Sequence, residues 1–156
     1  MPAAKTSRAQ EQNFDSKLRL FVYREMIRTG RAPLVREMAE GLGLTIPKVR
    51  QSLQRLSASH AFMTQDDGEL WRVAPFSAIP TAFPVRVGKQ SWFGNCIWDA
   101  LGIPAMLGED ADVGASCGCC NLDMRLKIRK GKLLEKEGII HIAVAARDWY
   151  RDVVFT

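Results

Sequence analysis

The stretch "GNCIWDALGIPAML", residues 94–107, sets Cys96 three residues ahead of Asp99 at the opening of a short apolar segment. Asn95 is a natural N-cap, which seats the thiol in the first helical turn, where backbone amides favour thiolate and lower its pKa from a free value of about 8.5. Positions three apart share a helix face, so Asp99 returns beside Cys96. A thiolate next to a carboxyl group is a nucleophile or soft-metal ligand with a partner that gives or takes a proton. The competing reading is packing: cysteine often behaves as a small core residue, and aspartate in a first turn complements the helix dipole.

A second group follows in "ASCGCCN", where Cys117, Cys119 and Cys120 fall within four residues. Sulfur donors suit thiophilic metals such as zinc, Cu(I) and, by the same softness, mercury. In an extended chain Cys119 and Cys120 point to opposite sides, so Cys117 and Cys119 are the two expected to face one site. The C-x-x-C of a zinc knuckle is absent, and His60 and His141 are the only imidazoles that could complete a tetrahedral zinc site. All four cysteines are therefore candidate metal ligands, and their crowding favours ligation or thiol chemistry over a disulfide scaffold. His141 reads as a sheet histidine, and Trp149 and Tyr150 as packing at the edge of the core.

These residues need a scaffold. With 156 residues and 47% hydrophobic content, the chain has enough apolar material for one ordinary domain or two small ones. No apolar run approaches the roughly 18–20 residues of a membrane span, and the opening "MPAAKTSRAQEQN" has no signal-peptide core, so a cytoplasmic protein with a disordered N-terminus over residues 1–13 is expected. Phe14, Leu18, Phe21, Val22 and Met26 predict a helix ending at Gly30, and a second follows Pro33, read as a first-turn proline. Thr45 caps a third, which carries Ile46, Val49, Leu53 and Leu56 on its buried face. "AFMTQDDGELWRV" then alternates about Asp67-Gly68, a hairpin signal. Residues 14–80 thus read as a winged-helix-like domain.

On the third helix Lys48, Gln51 and Arg55 occupy the outer face, where a DNA reader needs its donors, but Asp66, Asp67 and Glu69 at the wing oppose phosphate. The net charge of +5 is a mild basic excess concentrated N-terminally. DNA is accordingly not expected as a partner. A proline-punctuated connection leads through a short strand at 83–87 into residues 81–156. There Leu122, Met124, Leu126 and Ile128 alternate with charged residues in one predicted strand, and Ile139–Val144 form another. The fold class is α+β: the winged-helix-like domain followed by a small mixed α/β domain.

"NCIWDALGIPAML", "SCGCCNLDMRLKI" and "HIAVAARDWYRDVVFT" together resemble the alkylmercury (organomercurial) lyases, most specifically in Cys96-x-x-Asp99 followed by Leu101-x-x-Pro104-Ala105. The resemblance extends over roughly residues 14–156. It implies protonolytic cleavage of the carbon–mercury bond of R-Hg⁺ to hydrocarbon and Hg(II), with Cys96 as first thiol, Asp99 as proton carrier and Cys117 as a supporting cysteine. It also implies no organic cofactor, mercury as substrate and product, an organomercurial small molecule as partner, and cellular thiols or a mercuric reductase as Hg(II) acceptor. The family's second catalytic cysteine is expected directly beyond "VVFT", with Cys119 or Cys120 as possible substitutes. Two other functions fit the residues: a metal-responsive winged-helix DNA-binding regulator, and a non-catalytic soft-metal (mercury) binding protein.

Overall fold

Helix α1 spans Ala3–Thr29, drawn through residues 3–13 that sequence alone leaves as a disordered end. Ala, Lys, Gln and Glu dominate that leading segment, all strong helix formers able to continue a helix nucleated by the packed part. Leu18, Val22 and Met26, four residues apart, form its buried stripe at no more than 1% exposure. The computed structural model describes residues 3–135, 137–142 and 144–151, with side chains from residue 9 onward. It divides at Ala74/Pro75 into two compact units.

In the first unit, α2 (Val35–Leu42) starts from Leu34, so Pro33 precedes the cap instead of occupying the first turn. The Glu37 carboxylate accepts the Leu34 backbone N–H at 2.8 Å and is gripped by the Arg31 guanidinium at 2.6 and 2.8 Å. Arg31 first, and that backbone donor second, hold its pKa down to about 2. The helix stops at Gly43, whose φ of +64° is the left-handed conformation that closes a helix C-terminus. Thr45 then stands at the N-cap of α3 (Ile46–Ala58) without a side-chain cap bond. Val49, Leu53 and Leu56 are buried as the spacing predicts, whereas Ile46, expected on the same face, is 43% exposed at the first helical position. Strands β1 (Met63–Thr64) and β2 (Leu70–Val73) pair antiparallel around the Asp67-Gly68 turn.

The second unit holds β3 (Phe76–Ser77), β4 (Pro84–Val87), β5 (Gln90–Gly94), α4 (Ile97–Leu107), β6 (Ala111–Ser116), β7 (Asp123–Arg129) and β8 (Lys132–Leu133). Its strands run in the order β3-β5-β4-β6-β7-β8, with antiparallel neighbours throughout. Helix α4 lies against β3, β4, β5 and β6. Phe76, Val85, Trp92, Val113, Leu126 and Ile128 join Ala100 and Ile103 in the core, each at 8% exposure or less. Across β4, β6 and β7, Asp112 accepts from Arg129 at 2.7 Å and Arg86 at 3.3 Å, and these two partners keep its carboxyl below the usual range. The fold is thus mixed α+β, as expected.

The strand expected at Ile139–Val144 does not form among the described residues of that segment, Ala143 lying outside them. Ile139, Ile140 and Ile142 are 94, 44 and 42% exposed, so the segment buries no apolar face, and the strand that pairs with the end of β7 is β8, at Ile128 and Arg129. A short 3₁₀ turn, Ala146–Asp148, follows, and the Trp149 indole N–H donates to the Val144 carbonyl at 2.8 Å. Tyr150 is 52% exposed, so it does not pack at the core edge as its type suggests, and His141 is exposed. The "VVFT" segment lies outside the described residues. Among the described residues no helix is long and apolar enough to cross a membrane.

Candidate active site

Strand β5 ends at Gly94, and two residues later α4 begins; Cys96 is the hinge between them. Cys96 is itself the N-cap of α4, in extended conformation (φ −147°, ψ −179°), with Ile97 the first helical residue. Asn95, expected as the cap, sits one residue too early. Cys96 thus stands at the N-cap and Asp99 at the third helical position of α4, positions separated by one helical turn, and the Cys96 side chain makes no cap hydrogen bond. Both residues are partly exposed.

Asn95 has a different task. Its side-chain amide donates to an Asp99 carboxylate oxygen at 2.8 Å and to the Phe76 carbonyl at 3.1 Å, tying the carboxylate of α4 to β3. The Asn95 Oδ1 atom is buried and has no hydrogen-bond partner among the described residues. Sequence reasoning saw Asn95 only as a cap; the signal it overlooked is that Asn95 and Asp99 are four apart, within reach across one turn. On the lyase chemistry that the resemblance implies, Asn95→Ala is expected to leave binding of an organomercurial at Cys96 in place while lowering turnover about 10- to 100-fold, the worth of one hydrogen bond to a charged group. Steady-state methane release read as kcat and KM checks this, and a change confined to KM would contradict the positioning role.

The three remaining cysteines lie in the turn joining β6 to β7. The Cys117 N–H donates to the Leu122 carbonyl at 2.9 Å, the Asn121 N–H donates to the Cys117 carbonyl at 2.8 Å, and Asn121 takes a φ of +55°. This is a closed turn, not the extended chain assumed above, so Cys119 and Cys120 do not diverge. All three sulfurs lie within 4.8 Å of one another, whereas Cys96 is not part of that group. The Cys119 and Cys120 backbone amides, and then their thiols, donate to the Cys117 sulfur and bring its pKa down from the ordinary thiol range to about 7. A lowered value means thiolate above that pH and thiol below it. Alkylation of Cys117 by iodoacetamide, followed by peptide mass spectrometry across pH, should therefore show a midpoint near 7. A midpoint at the free value of about 8.5 would show that the turn does not stabilise thiolate.

The α3 residues considered for DNA divide. Lys48 and Gln51 are exposed. Arg55 instead forks onto both oxygens of Asp15 at 2.6 and 2.9 Å, where the buried Ser52 hydroxyl also donates. Its guanidinium is committed to holding α1 against α3.

Comparison with known proteins places the second unit in a family. The family model described as alkylmercury lyase, MerB, covers residues 76–156, slightly more than half of the sequence. The chain belongs to the alkylmercury lyase family. Among solved structures it is similar to the mercury-bound form of MerB2, with a TM-score of 0.60 and 20% sequence identity over 81% of this chain. It spans 66% of the length of that chain, and at that identity the likeness speaks for the fold. No curated protein matches the sequence.

Proposed function

We propose that the chain carries out organomercurial lyase chemistry at Cys96 and Asp99, as the resemblance to alkylmercury lyases suggests. The observation that carries the reading is the Asn95 side chain holding Asp99 at 2.8 Å within the same helical turn that Cys96 caps. The Cys96 thiol exchanges onto mercury, its proton passing to the Asp99 carboxylate as the sulfur–mercury bond forms. Donation from sulfur increases electron density on the mercury-bound carbon. Asp99 then delivers the proton to that carbon, the carbon–mercury bond breaks, and hydrocarbon leaves while Hg(II) stays on sulfur. The balance is R-Hg⁺ plus thiol giving RH plus thiolate-bound Hg(II), with no external oxidant or reductant. General acid delivery of this kind contributes about 10²–10⁴ in rate. Excess small thiol supplies further sulfur ligands and removes the product by exchange.

In the same reading residues 14–80 form a winged-helix-like accessory domain whose α3 packs rather than reads DNA, supported by the Arg55–Asp15 pairing and by the acidic residues at the β1–β2 turn. Residues 81–156 form the lyase-like domain. Purified protein incubated with methylmercury and excess thiol tests the function. Catalytic methane release is the expected result; stoichiometric mercury binding without methane would reduce the protein to a mercury trap.

A further inference from the structure

The β6–β7 turn gathers three thiols that protonolysis at Cys96 and Asp99 does not use. We propose that Cys117, Cys119 and Cys120 form a second soft-metal site, separate from Cys96, that holds a thiophilic cation of low coordination number as a three-thiolate complex. The three sulfurs already lie within 4.8 Å of one another. A trigonal site with metal–sulfur bonds of about 2.3 Å separates its sulfurs by about 4 Å, so closure needs little movement. The hydrogen bonds between Cys117 and Leu122, and between Asn121 and Cys117, fix the turn without using any cysteine side chain. Backbone amides of Cys119 and Cys120 already point at the Cys117 sulfur, an arrangement that favours the anionic ligand.

Which cation it takes follows from the donors. The described residues place only these three ligating groups together, with no His, Asp or Glu to make a fourth. Structural zinc asks for four-coordinate tetrahedral sites, whereas soft thiolates with fewer donors favour softer ions. Cys119 and Cys120 are exposed, so an ion enters directly from solvent. Each cysteine that enters as a thiol gives up its S–H proton to solvent as its sulfur–metal bond forms, three protons when all three are thiols and two when Cys117 is already thiolate, and no oxidation state changes. The site needs neither Cys96 nor Asp99, so it stands whether or not the chain is a lyase.

The test uses the full chain with Cys96→Ser, which leaves the cluster as its only thiols. Reduced protein is titrated with Hg(II) under anaerobic conditions and followed by ultraviolet sulfur-to-mercury charge transfer, native mass spectrometry and iodoacetamide protection. One Hg(II) per chain, all three thiols protected and no displacement by excess Zn(II) is the expected result. Adding Cys119→Ser and Cys120→Ser, both at exposed turn positions, should abolish the lower-energy charge-transfer band of the three-thiolate complex, leaving only the higher-energy absorption of Hg(II) on the single Cys117 sulfur, while circular dichroism stays unchanged. The proposal is overturned if one thiol remains freely alkylated, which marks a two-thiolate complex, if Zn(II) displaces Hg(II), or if the band survives in the triple variant.

Discussion

Cys96→Ser is expected to release no methane from methylmercury above the rate of excess thiol alone, while keeping the melting temperature of the parent protein. Serine preserves the extended N-cap position and is itself a preferred cap, so α4 keeps its start. What it lacks is sulfur: a hydroxyl is a poor ligand for a soft cation, and without the sulfur–mercury bond the carbon is never activated. Asp99→Asn separates the second role from the first. Asparagine fits the same space but carries no transferable proton, so mercury should still bind at Cys96 while methane release falls by about 10²–10⁴. Headspace gas chromatography on both variants, with mercury binding measured in parallel, distinguishes the two losses. Full turnover by Cys96→Ser would remove the thiol from the mechanism; full turnover by Asp99→Asn would require another proton donor.

Much of this arrangement is legible in the sequence, and what is not has identifiable physical causes. The buried stripes of α1, α2 and α3 follow helical periodicity because burial selects apolar side chains at positions that meet a neighbour. The Asp67-Gly68 hairpin follows from turn chemistry, since Gly68 adopts a φ of +83°. The Cys96-x-x-Asp99 spacing is equally readable. The Ile139–Val144 segment fails for a tertiary reason: its pattern suits a strand, but a strand of this kind is stabilised by packing its apolar face, and Ile139, Ile140 and Ile142 stay 94, 44 and 42% exposed. The thiol cluster fails in the opposite direction. Treating "SCGCC" as extended chain sent adjacent sulfurs apart, whereas the Cys117–Leu122 closure curls the backbone and brings them together. Asn95 is the subtlest case, because cap preference and a carboxylate bond four residues away compete for one side chain, and the start of α4 at Ile97 decides for the latter.

Gly94→Ala is expected to damage both stability and turnover, although it adds a single methyl group. A Cβ at this position falls 2.5 Å from the Ala100 backbone nitrogen, 2.7 Å from its Cα and 2.8 Å from its Cβ. The obstacle is the backbone of α4, which cannot swing aside as a long side chain can. Strand β5 cannot yield easily either: the Gly94 N–H donates to the Phe83 carbonyl at 2.9 Å, and the Thr81 hydroxyl donates to the Gly94 carbonyl at 2.6 Å. Helix and strand must therefore separate, at a cost of about 1–3 kcal/mol for overpacking, which corresponds to a drop in Tm of about 2–12 °C. Cys96 lies two residues beyond the clash and Asp99 inside the displaced turn, and a misplacement of about 1 Å at reacting groups costs about 10²-fold in rate. Gly102→Ala supplies the contrast within the same helix. Its Cβ meets only Pro75 at 3.6 Å, an ordinary contact, and alanine in a helix interior is favoured over glycine by up to about 1 kcal/mol. That variant should match or exceed the parent in Tm and retain methane release, whereas Gly94→Ala should fall in both. Equal behaviour of the two variants in thermal melts and methane assays would show that close approach of β5 to α4 at Gly94 does not set the position of Cys96.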